Sequence, residues 1–125
     1  MDRFFQKIEA GAEYAMTQPV FDVELFLKFM EKIKGVKIPI LAGLLPLVSY
    51  KNAEFLHNEV PGMQIPENIR ERMKKTAGTK SGSDEGIAIA TELFSQIKSV
   101  IGGIYIIPQL NKLEIASKII KNLNL

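Results

Sequence analysis

The sequence predicts an α/β fold of parallel βα units, and three observations carry that expectation. Three short, mostly apolar runs read as strands, and the second, Ile38 to Ala42, lacks the two-residue alternation of a half-buried strand, as strands covered on both faces do. Each leads into a proline, at Thr17-Gln18-Pro19, Gly43-Leu44-Leu45-Pro46 and Ile106-Ile107-Pro108. A residue without an N–H marks where a parallel strand gives way to its loop. Between these runs the apolar residues recur at helical spacing.

The elements follow in order. Phe4, Phe5, Ile8 and Ala12 make a helical face that Gly11 ends. Glu13 to Thr17 reads as the first strand. Asp22 is placed to cap a helix carrying Leu25, Phe26, Phe29, Met30 and Ile33, and Gly35 stops it. Ile38 to Ala42 is the second strand. A helix from about Tyr50 carries Ala53, Phe55, Leu56 and Val60 to Pro61-Gly62. Pro66-Glu67 opens a short basic helix to Lys75, and Gly78 to Gly82 is an exposed connector. Ser83-Asp84-Glu85 begins a long helix whose apolar stripe runs from Ile89 to Ile101 and ends at Gly102-Gly103. Ile104 to Ile107 is the third strand. Asn111 and Glu114 then form a cap pair before Ala116, Ile119, Ile120 and Leu123. The order is α-β-α-β-α-α-α-β-α, a single partial domain over residues 1–125 with an inserted helix-loop segment around 61–83. Three strands cannot close a barrel, so the unit is either a small open sheet or part of something larger. In a barrel, Tyr14, Met16, Ile40, Ala42, Tyr105 and Ile107 would face the interior.

Composition narrows the function. The chain has 125 residues, 46% apolar and 24% charged, with no cysteine and one histidine. A net charge of +2 without a basic run speaks against nucleic acid. The longest apolar run, Ile38 to Val48, is broken by Pro39 and Pro46 and falls short of a spanning helix. Disulfides, thiolate nucleophiles and Cys-ligated zinc are excluded, and His57 alone builds no metal site. A cytoplasmic domain with no membrane partner is the expectation.

Ligands of parallel α/β proteins bind at the C-terminal ends of the strands. The polar residues expected there are Gln18, Ser49, Asn52, Gln109, Asn111 and Lys112. Gln18 either offers its amide to a heterocycle edge or satisfies nearby backbone. Asn52 suits a helix cap or a ligand contact. Lys112, in the first turn of the last helix, is either a solvated lysine or a counter-charge to an anion. His57 has no acid at triad spacing, and the Gly78–Gly82 stretch is not a phosphate loop. These residues alone identify no catalytic group.

Two runs carry a resemblance. Lys7 through Thr17-Gln18-Pro19-Val20-Phe21-Asp22 and Ile40-Leu41-Ala42-Gly43-Leu44-Leu45-Pro46-Leu47-Val48-Ser49 resemble the C-terminal part of methylenetetrahydrofolate reductase. The run from Leu47 to Gly62 is most similar to the reductase half of bacterial proteins that fuse it to a homocysteine methyltransferase. The resemblance implies an FAD-dependent (β/α)8 barrel that reduces 5,10-methylenetetrahydrofolate to 5-methyltetrahydrofolate with NAD(P)H. This chain would supply its last three strands. Gln18, Asn52, Leu56 and Lys112 would fall on folate-contacting positions, and Met16 on a position beside the flavin's adenine. Asn52 is shorter than the family's common Gln, Leu56 replaces an aromatic, and Lys112 replaces an Arg fork. The family's catalytic acids belong to strands one to five. The resemblance therefore implies that this segment alone retains no flavin and needs a complementary barrel half or self-association through its open sheet edges. The alternative is a non-catalytic binding or assembly module derived from that barrel.

Overall fold

A computed structural model describes residues 2–109 and 112–123. Among these residues six helices and three strands occur in the order α1 Asp2–Glu9, β1 Ala15–Pro19, α2 Val23–Lys32, β2 Ile40–Leu44, α3 Tyr50–Glu59, α4 Glu67–Lys74, α5 Gly82–Ile97, β3 Gly103–Ile106 and α6 Leu113–Leu123. The strands form one sheet in the order β1-β2-β3, all parallel. This is the α/β architecture of parallel βα units that the sequence indicates.

The boundaries differ in ways that backbone chemistry explains. Gly11 takes a positive φ after α1, and the chain needs Ala12 to Tyr14 to reach the sheet. The first strand therefore starts at Ala15, whose N–H donates to the Pro39 carbonyl (3.0 Å). Pro39 has no N–H to give, so β2 starts at Ile40 and runs on to Leu44. The long helix stops at Ile97, short of Gly102-Gly103. Those glycines serve close approach instead: a Cβ on Gly102 would sit 2.6 Å from Pro39 Cβ, and one on Gly103 2.9 Å from Leu41 Cδ2. Ser83 lies inside α5 rather than at its cap. Asn111 of the expected cap pair lies outside the described residues.

Register sets the faces of the sheet. Met16 pairs with Leu41, Leu41 with Gly103, and Gly43 with Tyr105, so these residues share one face. Ala42 is on the other, packed with Val20, Phe26 and Ile97 beneath α2 and α5. Ile40 and Ala42 thus face the helices, not the side of Met16 and Tyr105. The alternation simply begins one residue off the expected phase.

The main core holds Phe21, Leu44, Leu47, Ala53, Leu56, Ile65, Ile69, Met73, Ile89 and Leu93. The segment around 61–83 is therefore no loose insertion, since Ile65, Ile69 and Met73 are buried in that core. Arg70 clamps Glu54 of α3 through Nε and Nη2 (2.9 and 2.8 Å), and Arg72 reaches Glu85 (2.7 Å) and Glu92 of α5. Residues 78–81 of the expected connector are exposed, but Gly82 is not part of it: it is buried and opens α5.

On α5, Gly82 and Gly86 are one turn apart and buried. A Cβ on Gly82 would meet the Val48 carbonyl at 2.7 Å, and one on Gly86 would collide with the Leu47 carbonyl. The helix thus seats the loop that follows β2 flush against its own backbone. Gly86→Ala is expected to destabilise the chain by about 1–3 kcal/mol through overpacking, read as a lower urea midpoint. An unchanged midpoint would mean that the loop is not seated there.

Candidate functional site

The C-terminal ends of β1, β2 and β3 lie side by side, and three loops follow from them. At the β1 end the ladder is irregular between Met16 and Pro19. Pro19 cannot donate, and side chains take over: Gly43 N–H donates to Thr17 Oγ1 (3.2 Å), and the Tyr105 hydroxyl donates to the Thr17 carbonyl. Tyr105 reaches Thr17 by lying across Gly43. A Cβ on Gly43 would stand 2.7 Å from the Tyr105 hydroxyl oxygen, so only glycine admits the ring. A glycine inside an apolar strand run was the sequence signal for this crossing.

Gln18 follows directly, exposed on the same face as Met16. Its amide makes no hydrogen bond to another described residue, and its Oε1 would be 3.7 Å from a Cβ on Gly62. The loop reading, in which backbone satisfies it, does not hold. The side chain is free to meet a ligand.

Asn52 is differently placed. The cap of α3 is Ser49, whose Oγ accepts from Asn52 N–H (3.0 Å). Asn52 sits in the first turn and its Oδ1 accepts from Val48 N–H (3.2 Å). Its amide also pairs reciprocally with Gln109, Nδ2 to Oε1 and Nε2 to Oδ1, both 2.9 Å. Gln109 Nε2 also donates to the Pro46 carbonyl (2.8 Å). This pair ties the end of β3 to the loop after β2.

Leu56 is 9% exposed and packs in the main core, so it supports the site from below and offers no ligand surface. The exposed aromatic of α3 is its neighbour Phe55, at 57%. Sequence spacing places both near the Asn52 face, and only packing separates them. Lys112 precedes α6 by one residue; its N–H donates to the Gln109 carbonyl (3.0 Å). It lines a cleft of about 450 Å³ with Lys51, Lys80, Ser49, Gly82 and Ser83. Met16 is 54% exposed and lines a cavity of about 610 Å³ with Phe4, Ile8, Gln18, Phe29 and Gly62, between α1 and the free edge of β1. Gln18, Asn52 and Lys112 thus share the strand-end side of the sheet, with Gln109 the one strand-end amide among the described residues that pairs with a site candidate.

His57 is structural. Its Nδ1 accepts from Ile65 N–H (3.1 Å), with Arg70 Nη1 3.4 Å from Nε2. No group of three His, Cys, Asp or Glu among the described residues could hold a metal ion, and no described helix is long and apolar enough to cross a membrane.

A parallel α/β sheet with its strand ends gathered on one side has the architecture of the open-sheet and barrel α/β class. The family model described as methylenetetrahydrofolate reductase matches residues 1–124. The chain belongs to the methylenetetrahydrofolate reductase family. Methylenetetrahydrofolate reductase 2 of Saccharomyces cerevisiae is 32% identical over 71 residues, 54% of this chain and 12% of that protein. The 5,10-methylenetetrahydrofolate reductase of Escherichia coli is 39% identical over 51 residues, 39% of this chain and 17% of that protein. The chain thus spans less than a fifth of either relative. A solved protein from Clostridium thermocellum, described as binding two copies of 5-methyl-5,6,7,8-tetrahydrofolic acid, has the same fold at a TM-score of 0.66 and 21% identity. That match covers 98% of this chain and 46% of the other.

The Arg70 fork on Glu54 generates a pH expectation. Hydrogen bonds from Arg70 hold the Glu54 carboxyl below its ordinary value. A depressed folded-state value contributes stability above the unfolded value, lost as pH falls through the folded one. Glu54→Gln should therefore lower Tm near neutrality and leave it unchanged in acid, measured by thermal melts across the carboxylate range. A Tm difference that persists undiminished in acid would dissociate Glu54 from this effect.

Proposed function

We propose that this chain forms the folate-side end of a cytoplasmic, flavin-dependent (β/α)8 reductase that converts 5,10-methylenetetrahydrofolate to 5-methyltetrahydrofolate with NAD(P)H. The observation that carries the reading is the exposed, unbonded amide of Gln18 at the β1 end, in a chain of this family. Its two donors and one carbonyl suit the edge of a pterin. Lys112, at the cleft with Lys51 and Lys80, supplies positive charge for the folate's glutamate. Asn52 contributes through its pair with Gln109. Leu56 holds α3 in the core behind them.

The flavin, when bound, supplies the reducing equivalents. Toward it this chain offers Met16, an exposed thioether that fits an apolar wall beside the adenine and brings no charge or donor for phosphate. Holding FAD and supplying the acid therefore fall to residues outside this chain's strands. The edges of β1 and β3 are each paired on one side only, and such edges seek partners. The remaining barrel strands, with a parallel strand beside β1 in the cavity under α1, complete the site.

The test is NAD(P)H-dependent reductase activity with added FAD, with and without a polypeptide carrying strands one to five. Activity is expected only on mixing. Gln18→Ala in the mixture should then lower folate turnover about ten- to hundred-fold, the effect of losing a hydrogen-bond partner, worth roughly 1–3 kcal/mol once the completed barrel buries it, with flavin retention unchanged. Activity of the chain alone contradicts the reading. Folate binding without turnover after mixing would favour a non-catalytic module.

A further inference from the structure

The Asn52–Gln109 pair has a fixed polarity. A carboxamide carries two donor hydrogens and two acceptor lone pairs. Asn52 Oδ1 accepts from both Val48 N–H and Gln109 Nε2, which uses both lone pairs. Gln109 Nε2 donates to both Asn52 Oδ1 and the Pro46 carbonyl, which uses both hydrogens. Among the described residues, Asn52 Nδ2 and Gln109 Oε1 bond only each other. Toward those residues one keeps a free N–H and the other a free lone pair. In a reciprocal amide pair these two atoms stand side by side, on the flank opposite the Val48 and Pro46 contacts.

Neither amide can turn over. A flipped Asn52 would set Nδ2 against the Val48 N–H, and a flipped Gln109 would set Oε1 against the Pro46 carbonyl. The backbone behind the pair therefore dictates a donor and an acceptor, in that order, in front of it. Both residues are half-buried, and they stand where β2 and β3 end.

We propose that this flank is a ligand-reading edge, and that Gln109 is a specificity residue alongside Asn52. It takes a group that presents an acceptor and a donor side by side, as a lactam or aminopyrimidine edge of a reduced pterin does. The inference rests on the folate reading above. It also gives the short Asn52 side chain a role, because Gln109 supplies the acceptor half of the contact.

The experiment is titration calorimetry on the 125-residue chain mixed with the polypeptide carrying strands one to five, using 5-methyltetrahydrofolate and, separately, p-aminobenzoylglutamate, which lacks the pterin. Gln109→Leu and Asn52→Asp should each weaken 5-methyltetrahydrofolate about tenfold or more and leave p-aminobenzoylglutamate unchanged. Equal weakening of both ligands would mark a purely structural role and overturn the proposal, as would unchanged 5-methyltetrahydrofolate affinity. A second measurement needs no variant: on the wild-type mixture, 6-methyltetrahydropterin should displace bound 5-methyltetrahydrofolate, and failure to displace overturns the proposal even if a variant does not fold. A wild-type mixture that binds neither folate ligand overturns the folate reading and this inference together, whereas binding that is indifferent to Gln109 and Asn52 overturns only the inference.

Discussion

Tyr105 lies across Gly43 and gives its hydroxyl to the Thr17 carbonyl, and the arrangement of the strand ends depends on that crossing. It links the two edge strands over the middle one at the place where Pro19 interrupts the ladder. Were position 43 any residue with a Cβ, the ring would be displaced. The β1–β2 register would then rest on Ala15 and Met16, with the Val20 N–H to Gly43 carbonyl bond beyond the gap. With the crossing in place, Gln18 emerges at a defined height beside the ends of β2 and β3. A second constraint works from behind: Gly82 and Gly86 let α5 approach the Leu47–Val48 backbone. That backbone then presents the Pro46 carbonyl and the Val48 N–H to the amide pair.

The two halves of the site are prepared differently. Gln18 is free and exposed, so its orientation is left to the ligand and to whatever closes over β1. Asn52 and Gln109 are locked before any ligand arrives, and a preorganised polar edge loses less on binding than a mobile one.

Much of this was legible in the sequence because it is local. The cap at Asp22, whose Oδ1 accepts from Leu25 N–H (3.0 Å), and the prolines at the strand ends are short-range chemistry. Gln18 was legible from its place at a strand's C-terminal end, although β1 runs through it to Pro19. Other features are decided at long range. Ser49 and Asn52 are both good cap residues three apart, and only the seating of the loop on α5 makes Ser49 the cap. Leu56 and Phe55 are adjacent on α3, and packing against Ile65 and Ile69 buries the first and leaves the second exposed. The phase of β2 is set by packing alone, because Ile40 and Ala42 suit either face. The Asn52–Gln109 pair spans two loops and could not be read from either.

The central claim is that ligand binds at the C-terminal ends of the three strands. Hydrogen–deuterium exchange with and without 5-methyltetrahydrofolate tests it most directly. The account expects ligand-dependent protection in residues 17–21, 43–52 and 105–109. Protection confined to the helix layer, in the cleft between α2, α4 and α5 that Arg72 and Gln96 line, would contradict it.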